Sequence, residues 1–310
     1  MKRPNFFIVG APKCGTSSLT RYLTQHPDIA MATEQEPHFF STDLTYTAIA
    51  RRYSWDDYLG LFAETGAARC LGEKTPFYLL SKVAAANIRE ACPEARIIIM
   101  LRNPVDMMHS LHSHLLYNGD EDISSFEAAL EAEADRRQGR RLSTFVPFHE
   151  IVFYRAIAAY TDQVQRYFDV FGRERVLVII FDDLKRDPKE EYLRTIRFLG
   201  VEANGLPEFT IVNANKRRRS RLFRTVQRHV IPSLPGPVRG LVHRLMSPEA
   251  RRRLLRTVNR WNTVNQPRPP MAPATRARLQ TEFRDEIERL SALLDRDLTH
   301  WSKPDAHPLH

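Results

Sequence analysis

The 310-residue sequence contains little cysteine and no long apolar run. Its three cysteines, Cys14, Cys70 and Cys92, are too few and too scattered for a disulfide framework or a zinc site. The first apolar run ends at Gly10, which makes it too short for a signal peptide or a membrane span. We therefore expect a cytoplasmic protein in a reducing environment, without a membrane anchor.

Acidic residues are scarce in one part of the chain. The whole sequence has 46 Lys and Arg against 37 Asp and Glu, a net charge of +9. Residues 216–260, here called the basic segment, hold 14 of these cations and a single acid. Such a concentration of positive charge favours an anionic partner: a nucleotide, an acidic acceptor or a peripheral contact with a lipid surface. We do not expect a nucleic acid partner.

The rest of the composition is ordinary for a globular protein, with 43% hydrophobic and 27% charged residues. We expect one domain over residues 1–310, divided into an α/β core (1–215), the basic segment (216–260) and a C-terminal connector and helix (261–310). Alternating strands and helices predict a parallel sheet with crossover helices. The predicted strands include 67–72, 97–101 and 175–181, and the longer predicted helices are 124–137, 150–171 and 275–294.

The strongest local signal is the stretch FFIVGAPKCGTSSLTRYLTQHP near the start of the chain. It predicts a buried strand (6–9), a tight loop (10–15) and a helix (16–25). A helix N-terminus offers unpaired N–H groups and a partial positive charge, so a phosphate-like group can bind there. The predicted anion site consists of Lys13, Cys14, Gly15, Thr16, Ser17 and Ser18.

This loop differs from the nucleoside-triphosphatase loop in a way that matters chemically. Gly10 and Gly15 have the G-x-x-x-x-G spacing of that loop, but Thr16 stands where its lysine would be. The apolar strand at 97–101 also runs into Arg102 rather than into an acidic residue that could help to hold Mg²⁺. The loop therefore indicates phosphate binding without a metal, and a P-loop kinase is the less favoured alternative.

Two motifs resemble those of sulfotransferases that use 3′-phosphoadenosine 5′-phosphosulfate (PAPS). PKCGTSSL is similar to the family's 5′-phosphosulfate loop, and ARIIIMLRNPVDMMHS is similar to its 3′-phosphate motif. EQEPHFF and GEKTP resemble the branch related to heparan sulfate sulfotransferases, and the likeness extends from about Asn5 to Pro188. The resemblance implies a P-loop-like, three-layer α/β domain with a central, mostly parallel sheet of about five strands. It also implies PAPS as donor, 3′-phosphoadenosine 5′-phosphate (PAP) as product, and no metal.

Sulfuryl transfer needs positive charge at the leaving oxygen and a base for the acceptor proton. Lys13 is the candidate for the first task. By resemblance, Glu36 is the catalytic base, with Glu34 as a rival, His38 assists or orients, and Lys74 is a second active-site lysine.

The resemblance also assigns the 3′-phosphate site. Arg102 and Ser110 would bind that group, the arginine through a forked donor set and the serine through its hydroxyl. Arg218 and Arg219, in NKRRRSR, would close over the nucleotide, although a solvated basic run is an equally good interpretation of that stretch.

Other features leave the acceptor open. His109, His112 and His114 lack further ligands at zinc-like spacing, so we interpret them as residues that face the acceptor cleft rather than as a metal site. The acceptor could be a glycan, a glycosylated natural product or a lipid headgroup, sulfated on oxygen or nitrogen. A polyanion-binding or nucleotide-binding module without turnover is the alternative from another class.

Overall fold

The strands and helices follow the predicted alternation along the chain. The computed structural model describes residues 2–48, 50, 52–142, 146–210 and 268–303, and the backbone of 216–218 and 263–265. The strands are β1 (Phe6–Gly10), β2 (Ile29–Met31), β3 (Cys70–Lys74), β4 (Arg96–Leu101), β5 (Val176–Ile180), β6 (Lys216–Arg218) and β7 (Thr263–Asn265). The helices are α1 (Thr16–Leu23), α2 (Trp55–Gly60), α3 (Ala84–Ala91), α4 (Pro104–Asn118), α5 (Phe126–Glu131), α6 (Glu133–Arg137), α7 (Tyr154–Ala158), α8 (Tyr160–Phe171), α9 (Phe181–Arg186), α10 (Pro188–Leu199), α11 (Pro273–Glu282) and α12 (Arg284–Leu294).

The central sheet has five parallel strands in the order β2-β3-β1-β4-β5. In the middle strand, Phe7 pairs with Glu73 of β3 on one side and with Ile97 of β4 on the other. Every residue of β1 is buried, as expected for a parallel strand covered on both faces. The sheet and its flanking helices confirm the predicted fold.

This strand order brings three strand ends together. The chain leaves β1 at Gly10, β3 at Lys74 and β4 at Leu101, and these strands are neighbours in the sheet. Ligands of open α/β sheets bind outside the carboxyl ends of the strands, where the strand order reverses. The predicted loop, Lys74 and Arg102 therefore all lie at one edge.

Three helices predicted as continuous are broken in the structure. The predicted helix 150–171 becomes a 3₁₀ turn (His149–Val152), α7 and α8, because Phe153 and Ala159 leave helical geometry, with ψ of 72° and 79°. Gln163 donates from Nε2 to the carbonyl of Ala156 at 2.7 Å, which supplies a partner beside the second break. The predicted helices 124–137 and 275–294 are likewise divided, at Ala132 and Phe283.

The C-terminal helices return to the strand ends. The buried Trp301 donates from its indole Nε1 to Asp182 at 2.9 Å, and its carbonyl accepts from Nδ2 of Asn103, the N-cap of α4, at 3.1 Å. Arg276 of α11 pairs with Asp106 of α4 at 2.8 Å. Within the described part of the chain, no helix is long and apolar enough to cross a membrane.

Candidate active site

The loop after β1 turns sharply onto the N-terminus of α1. Lys13 and Gly15 both have left-handed backbone geometry, with φ of 62° and 90°. A Cβ on Gly15 would also lie 3.0 Å from the side chains of Phe181 and Leu184, so glycine is required by both conformation and space. Gly15 is the N-cap of α1, and no side chain caps that helix end. Its first N–H groups are therefore not occupied by a capping side chain, which suits an anion.

Three cations gather beside this loop. Burial, followed by the charges of Arg268 and Arg102, lowers the pKa of Lys13 to about 8. Burial and the charge of Arg102 likewise lower the pKa of Arg268 to about 10. Each positive charge makes the charged form of its neighbours less favourable. The arrangement therefore favours a ligand with several negative charges.

Arg268 and Ser110 form a second group of hydrogen-bond donors. Nη2 of Arg268 donates to the hydroxyl of Ser110 at 2.9 Å, and Ser110 is buried on α4. Nε of Arg268 is also buried and has no hydrogen-bond partner among the described residues. Arg102 follows β4 and lies against the ring of Phe181, with its guanidinium carbon 4.9 Å from the ring centroid. These donors match the chemistry of a phosphate group.

A carboxylate and a lysine form a short ion pair in the same region. Nζ of Lys74 lies 2.6 Å from Oε1 of Glu36, and the backbone N–H of Glu36 donates to the carbonyl of Lys74 at 3.2 Å. The Lys74 side chain is 4% exposed, whereas that of Glu36 is 37% exposed and remains open to solvent. Burial alone would raise the pKa of Glu36, but Lys74 outweighs it and lowers that pKa. Glu36 is therefore an ionised carboxylate, accessible from the cleft.

The segment that carries Glu36 has an unusual backbone. Glu36 and His38 both have positive φ, 58° and 55°, on either side of Pro37. Non-glycine residues hold such angles only when their surroundings fix them, and these residues concentrate at functional sites. Burial lowers the pKa of His38 to about 4, so its imidazole is neutral near pH 7. The ring lies 5.3 Å from that of Phe148, a packed position suited to orienting rather than to carrying charge.

A buried carboxyl group, that of Glu73, connects this segment to β3 through hydrogen bonds. Glu73 is 0% exposed and accepts from the hydroxyls of Thr75, at 2.6 Å, and Tyr58. Burial raises its pKa to about 7. Tyr78, which also bonds to Glu73, accepts the backbone N–H of Phe40 at 3.2 Å. The network links β3 to the residues that follow Glu36.

The three histidines of α4 have different surroundings. Desolvation, the charge of Lys13 and the charge of Lys74 lower the pKa of His114, while Glu36 raises it, which places this side chain near Lys13 and the Glu36–Lys74 pair. His112 instead contacts the carbonyl of Ile123 through Nε2 at 2.9 Å, and His109 packs on Phe126. No group of three or more candidate metal ligands occurs within the described ranges.

A family model described as a sulfotransferase domain matches residues 3–224. The chain belongs to the sulfotransferase family. It is 31% identical over 213 residues to heparan sulfate glucosamine 3-O-sulfotransferase 6 of Mus musculus, covering 69% of this chain and 57% of that protein. It is 28% identical over 199 residues to heparan sulfate glucosamine 3-O-sulfotransferase 3B1 of Mus musculus, covering 64% and 46%. The chain thus spans about half the length of these curated relatives.

A solved structure agrees with this assignment. The crystal structure of a sulfotransferase from Alicyclobacillus acidocaldarius is 32% identical in sequence and superposes with a TM-score of 0.72. The superposition covers 98% of this chain and 100% of that chain. The predicted family, and its resemblance to the heparan sulfate branch, are confirmed.

The predicted site residues of this sulfotransferase family member largely come together. The loop of Lys13 to Ser18 follows β1, Glu36 and His38 lie in the segment after β2, Lys74 ends β3, and Arg102 and Ser110 follow β4. The thiol of Cys14 stays protonated at neutral pH, because burial raises its pKa to about 12. Only the backbone of Arg218 is described, in β6, and Arg219 lies outside the described residues, so their role stays a prediction.

Sequence reasoning missed Arg268. It occurs in NQPRPPM, which the proline content identifies only as a connector. The structure brings this arginine to Ser110 from 158 residues further along the chain. No local pattern around Arg268 signals that contact.

Proposed function

We propose that the protein transfers a sulfuryl group from PAPS to a hydroxyl or amine of a glycan or small-molecule acceptor. The observation that carries this proposal is the ionised, accessible Glu36 paired with Lys74 at 2.6 Å, beside a cluster of cations at the phosphate loop. A site with a base on one side and a polyanion site on the other has the parts that in-line transfer requires.

Two groups of residues would bind different parts of PAPS. The loop from Lys13 to Ser18 and the start of α1 would hold the 5′-phosphosulfate. Arg102, Ser110 and Arg268 would hold the 3′-phosphate, since they combine two guanidinium groups with one hydroxyl. The unpartnered Nε of Arg268 supports this assignment, because a buried charged donor without an acceptor is costly.

The chemical step forms one bond to sulfur and breaks another. The acceptor oxygen or nitrogen attacks sulfur, the bond between sulfur and the phosphate oxygen breaks, and PAP leaves with the electron pair on that oxygen. Glu36 accepts the acceptor proton, and Lys13 stabilises the negative charge that develops on the leaving phosphate. Lys74 keeps Glu36 ionised through the 2.6 Å pair, and its ammonium group would be the partner of the sulfuryl oxygens in the transition state.

The decisive experiment replaces Glu36 with glutamine, which keeps its size but cannot accept the proton. We expect the transfer rate to fall by about 10²-fold or more, because positioned acid–base catalysis contributes on that scale. PAP binding, measured by calorimetry, should stay unchanged. Radiolabelled PAPS and a panel of glycan, glycosylated natural product and lipid acceptors provide the assay.

Glu34→Gln is the matched control, two residues upstream. Normal turnover by Glu36→Gln together with a crippled Glu34→Gln would move the base to Glu34. If both variants keep full activity, Glu36 is not the base and His38 must be replaced next. PAP binding by the wild-type protein without transfer to any acceptor would favour a binding module.

A further inference from the structure

A pocket of about 560 Å³ lies beside the segment that carries Glu36. This volume falls in the range of about 300–1,000 Å³ that is usual for small-molecule sites. One wall is formed by Pro37 and His38, which immediately follow the proposed base. Glu36 itself is not part of the lining, so the pocket lies next to the Glu36–Lys74 pair and does not contain it.

Three partly exposed aromatic side chains give the pocket flat surfaces. Phe39, Tyr53 and Trp55 all line it, and each is partly exposed. Phe39 stacks on the buried Tyr58 with ring centroids 4.5 Å apart, and Trp55 stacks on the same ring at 5.6 Å. Because Tyr58 also bonds to the buried Glu73, the rings of Phe39 and Trp55 are held in place by a fixed neighbour.

The pocket carries little net charge. Its lining contains one cation, Arg52, and one anion, Glu90, both exposed. A second cation, Arg3, lies against it, with its guanidinium carbon 5.6 Å from the centroid of the Trp55 ring. The other polar groups of the lining, Asn87 and Thr42, are neutral, and so is His38 near pH 7. A polysulfated chain would need several cations to offset its charge, whereas Glu90 offsets one of the two cations here, so an uncharged occupant fits better.

We propose that this pocket binds a neutral sugar ring of the acceptor, adjacent to the residue that receives the sulfuryl group. The apolar C–H face of a sugar ring packs on flat aromatic surfaces, while its hydroxyls reach groups such as Arg52, Glu90 and Asn87. This inference rests on the proposed function, because an acceptor exists only if the protein transfers a sulfuryl group. The binding itself is independent of it, since the pocket shares no residue with the donor site.

The test measures binding without donor, so that a failure of catalysis cannot obscure it. Neutral tetrasaccharides (cellotetraose, maltotetraose and N-acetylchitotetraose) and a heparin-derived tetrasaccharide are titrated by calorimetry and saturation-transfer NMR. We expect at least one neutral probe to bind, and Tyr53→Ala to raise its dissociation constant about five- to tenfold, as expected for loss of one aromatic contact. Phe168→Ala, which removes a partly exposed ring of α8 outside the pocket, should leave that constant unchanged.

A second variant changes the charge of the pocket at the exposed residue Glu90. Glu90→Lys gives the lining a positive charge and should improve binding of the heparin-derived probe while weakening the neutral one. The proposal is overturned if no neutral probe binds wild type, or if Tyr53→Ala and Phe168→Ala bind it equally well. It is also overturned if the heparin-derived probe alone binds wild type and loses affinity in Tyr53→Ala. Loss of PAP binding or of transfer in wild type would instead count against the proposed function.

Discussion

Lys13 carries its charge where its surroundings disfavour it. Burial, Arg268 and Arg102 lower its pKa to about 8, well below the ordinary value of 10.5. A bound polyanion would stabilise the ammonium form and raise this pKa again. Above pH 8 the free protein has a neutral Lys13, so binding of PAP must then take up a proton.

This linkage gives a pH dependence with a definite sign. We expect the PAP dissociation constant to be flat between pH 7 and 8 and then to rise, approaching about tenfold per pH unit. Lys13→Arg should bind PAP with a flat profile up to pH 9, because the guanidinium stays charged there. Calorimetry in two buffers of different ionisation enthalpy counts the protons taken up. Equal slopes for the two proteins would remove Lys13 from the phosphate site.

Arg268 is the residue that we expect to distinguish PAP from nucleotides without a 3′-phosphate. Its contact with Ser110 at 2.9 Å places it beside the proposed 3′-phosphate site. Arg268→Gln should weaken PAP binding by about 10- to 100-fold, the scale of a lost charged hydrogen bond, and weaken adenosine 5′-phosphate binding much less. Thermal shifts with both ligands measure the difference. Equal losses for the two nucleotides would contradict this assignment.

At the scale of residues, the sequence predicts best where chemistry and local structure coincide. Lys13, Arg102 and Ser110 each lie on or beside a strand, a turn or a helix that has its own pattern. Arg268 has no such pattern, because its partner is distant in the sequence and the contact depends on tertiary structure. Its role could only follow from the folded chain.

Helix α4, which carries Ser110 and His114, is fixed at its C-terminal end by a buried ion pair. Glu121 and Arg136 are joined by two hydrogen bonds of 2.7 and 2.8 Å, and their side chains are 0% and 2% exposed. Tyr154 donates to the same carboxylate at 2.7 Å. Burial opposes ionisation of Glu121, but its bonds to Arg136 outweigh this effect and lower its pKa.

Removing one member of this pair should therefore be costly. Arg136→Leu leaves a buried carboxylate without its cation, and we expect the free energy of unfolding to fall by about 3–5 kcal/mol. Since the pKa of Glu121 is lowered in the folded protein, its stabilisation is present above the ordinary carboxyl pKa and is lost as the pH falls through the folded value. Urea unfolding at pH 7 and pH 4 measures both effects.

The exposed pair formed by Arg140 and Asp135 provides the control. It lies in the neighbouring turn, and both side chains are substantially exposed, at 59% and 36%. Arg140→Gln should change stability by less than about 1 kcal/mol. A similar small loss in Arg136→Leu would mean that the buried pair does not secure α4.

At the scale of elements, pattern and topology differ in what the sequence reveals. Apolar runs predict β1, β4 and β5 closely, because strands buried on both faces have continuous apolar sequences. β2 was not predicted, since three residues at the sheet edge are too short for a pattern. The breaks at Ala132, Ala159 and Phe283 were also missed, because the apolar periodicity continues across them.

At the scale of the whole molecule, Arg268 comes from a part of the chain that lies beyond the sequence motifs. The resemblance seen in the sequence ends near Pro188, and the family model matches residues 3–224. Arg268 lies beyond both, on a segment anchored to α4 by the Arg276–Asp106 pair at 2.8 Å. Trp301 adds a second anchor through Asp182 and Asn103. The C-terminal helices therefore hold Arg268 beside Ser110 of α4.

This arrangement predicts that a residue remote from the ligand affects nucleotide affinity. Arg276→Gln removes the partly buried pair with Asp106, whose side chains are 19% and 26% exposed, and loosens the segment that carries Arg268. We expect PAP affinity to fall about three- to tenfold, because part of the binding free energy is then needed to order Arg268. Arg289→Gln removes the same charge from α12, where Arg289 pairs with Glu286 at the surface, and should leave affinity unchanged. Calorimetry with PAP and with adenosine 5′-phosphate separates the effects, since only PAP should respond to Arg276→Gln. If both nucleotides weaken equally, or if Arg289→Gln matches Arg276→Gln, the C-terminal helices stabilise the fold without positioning Arg268.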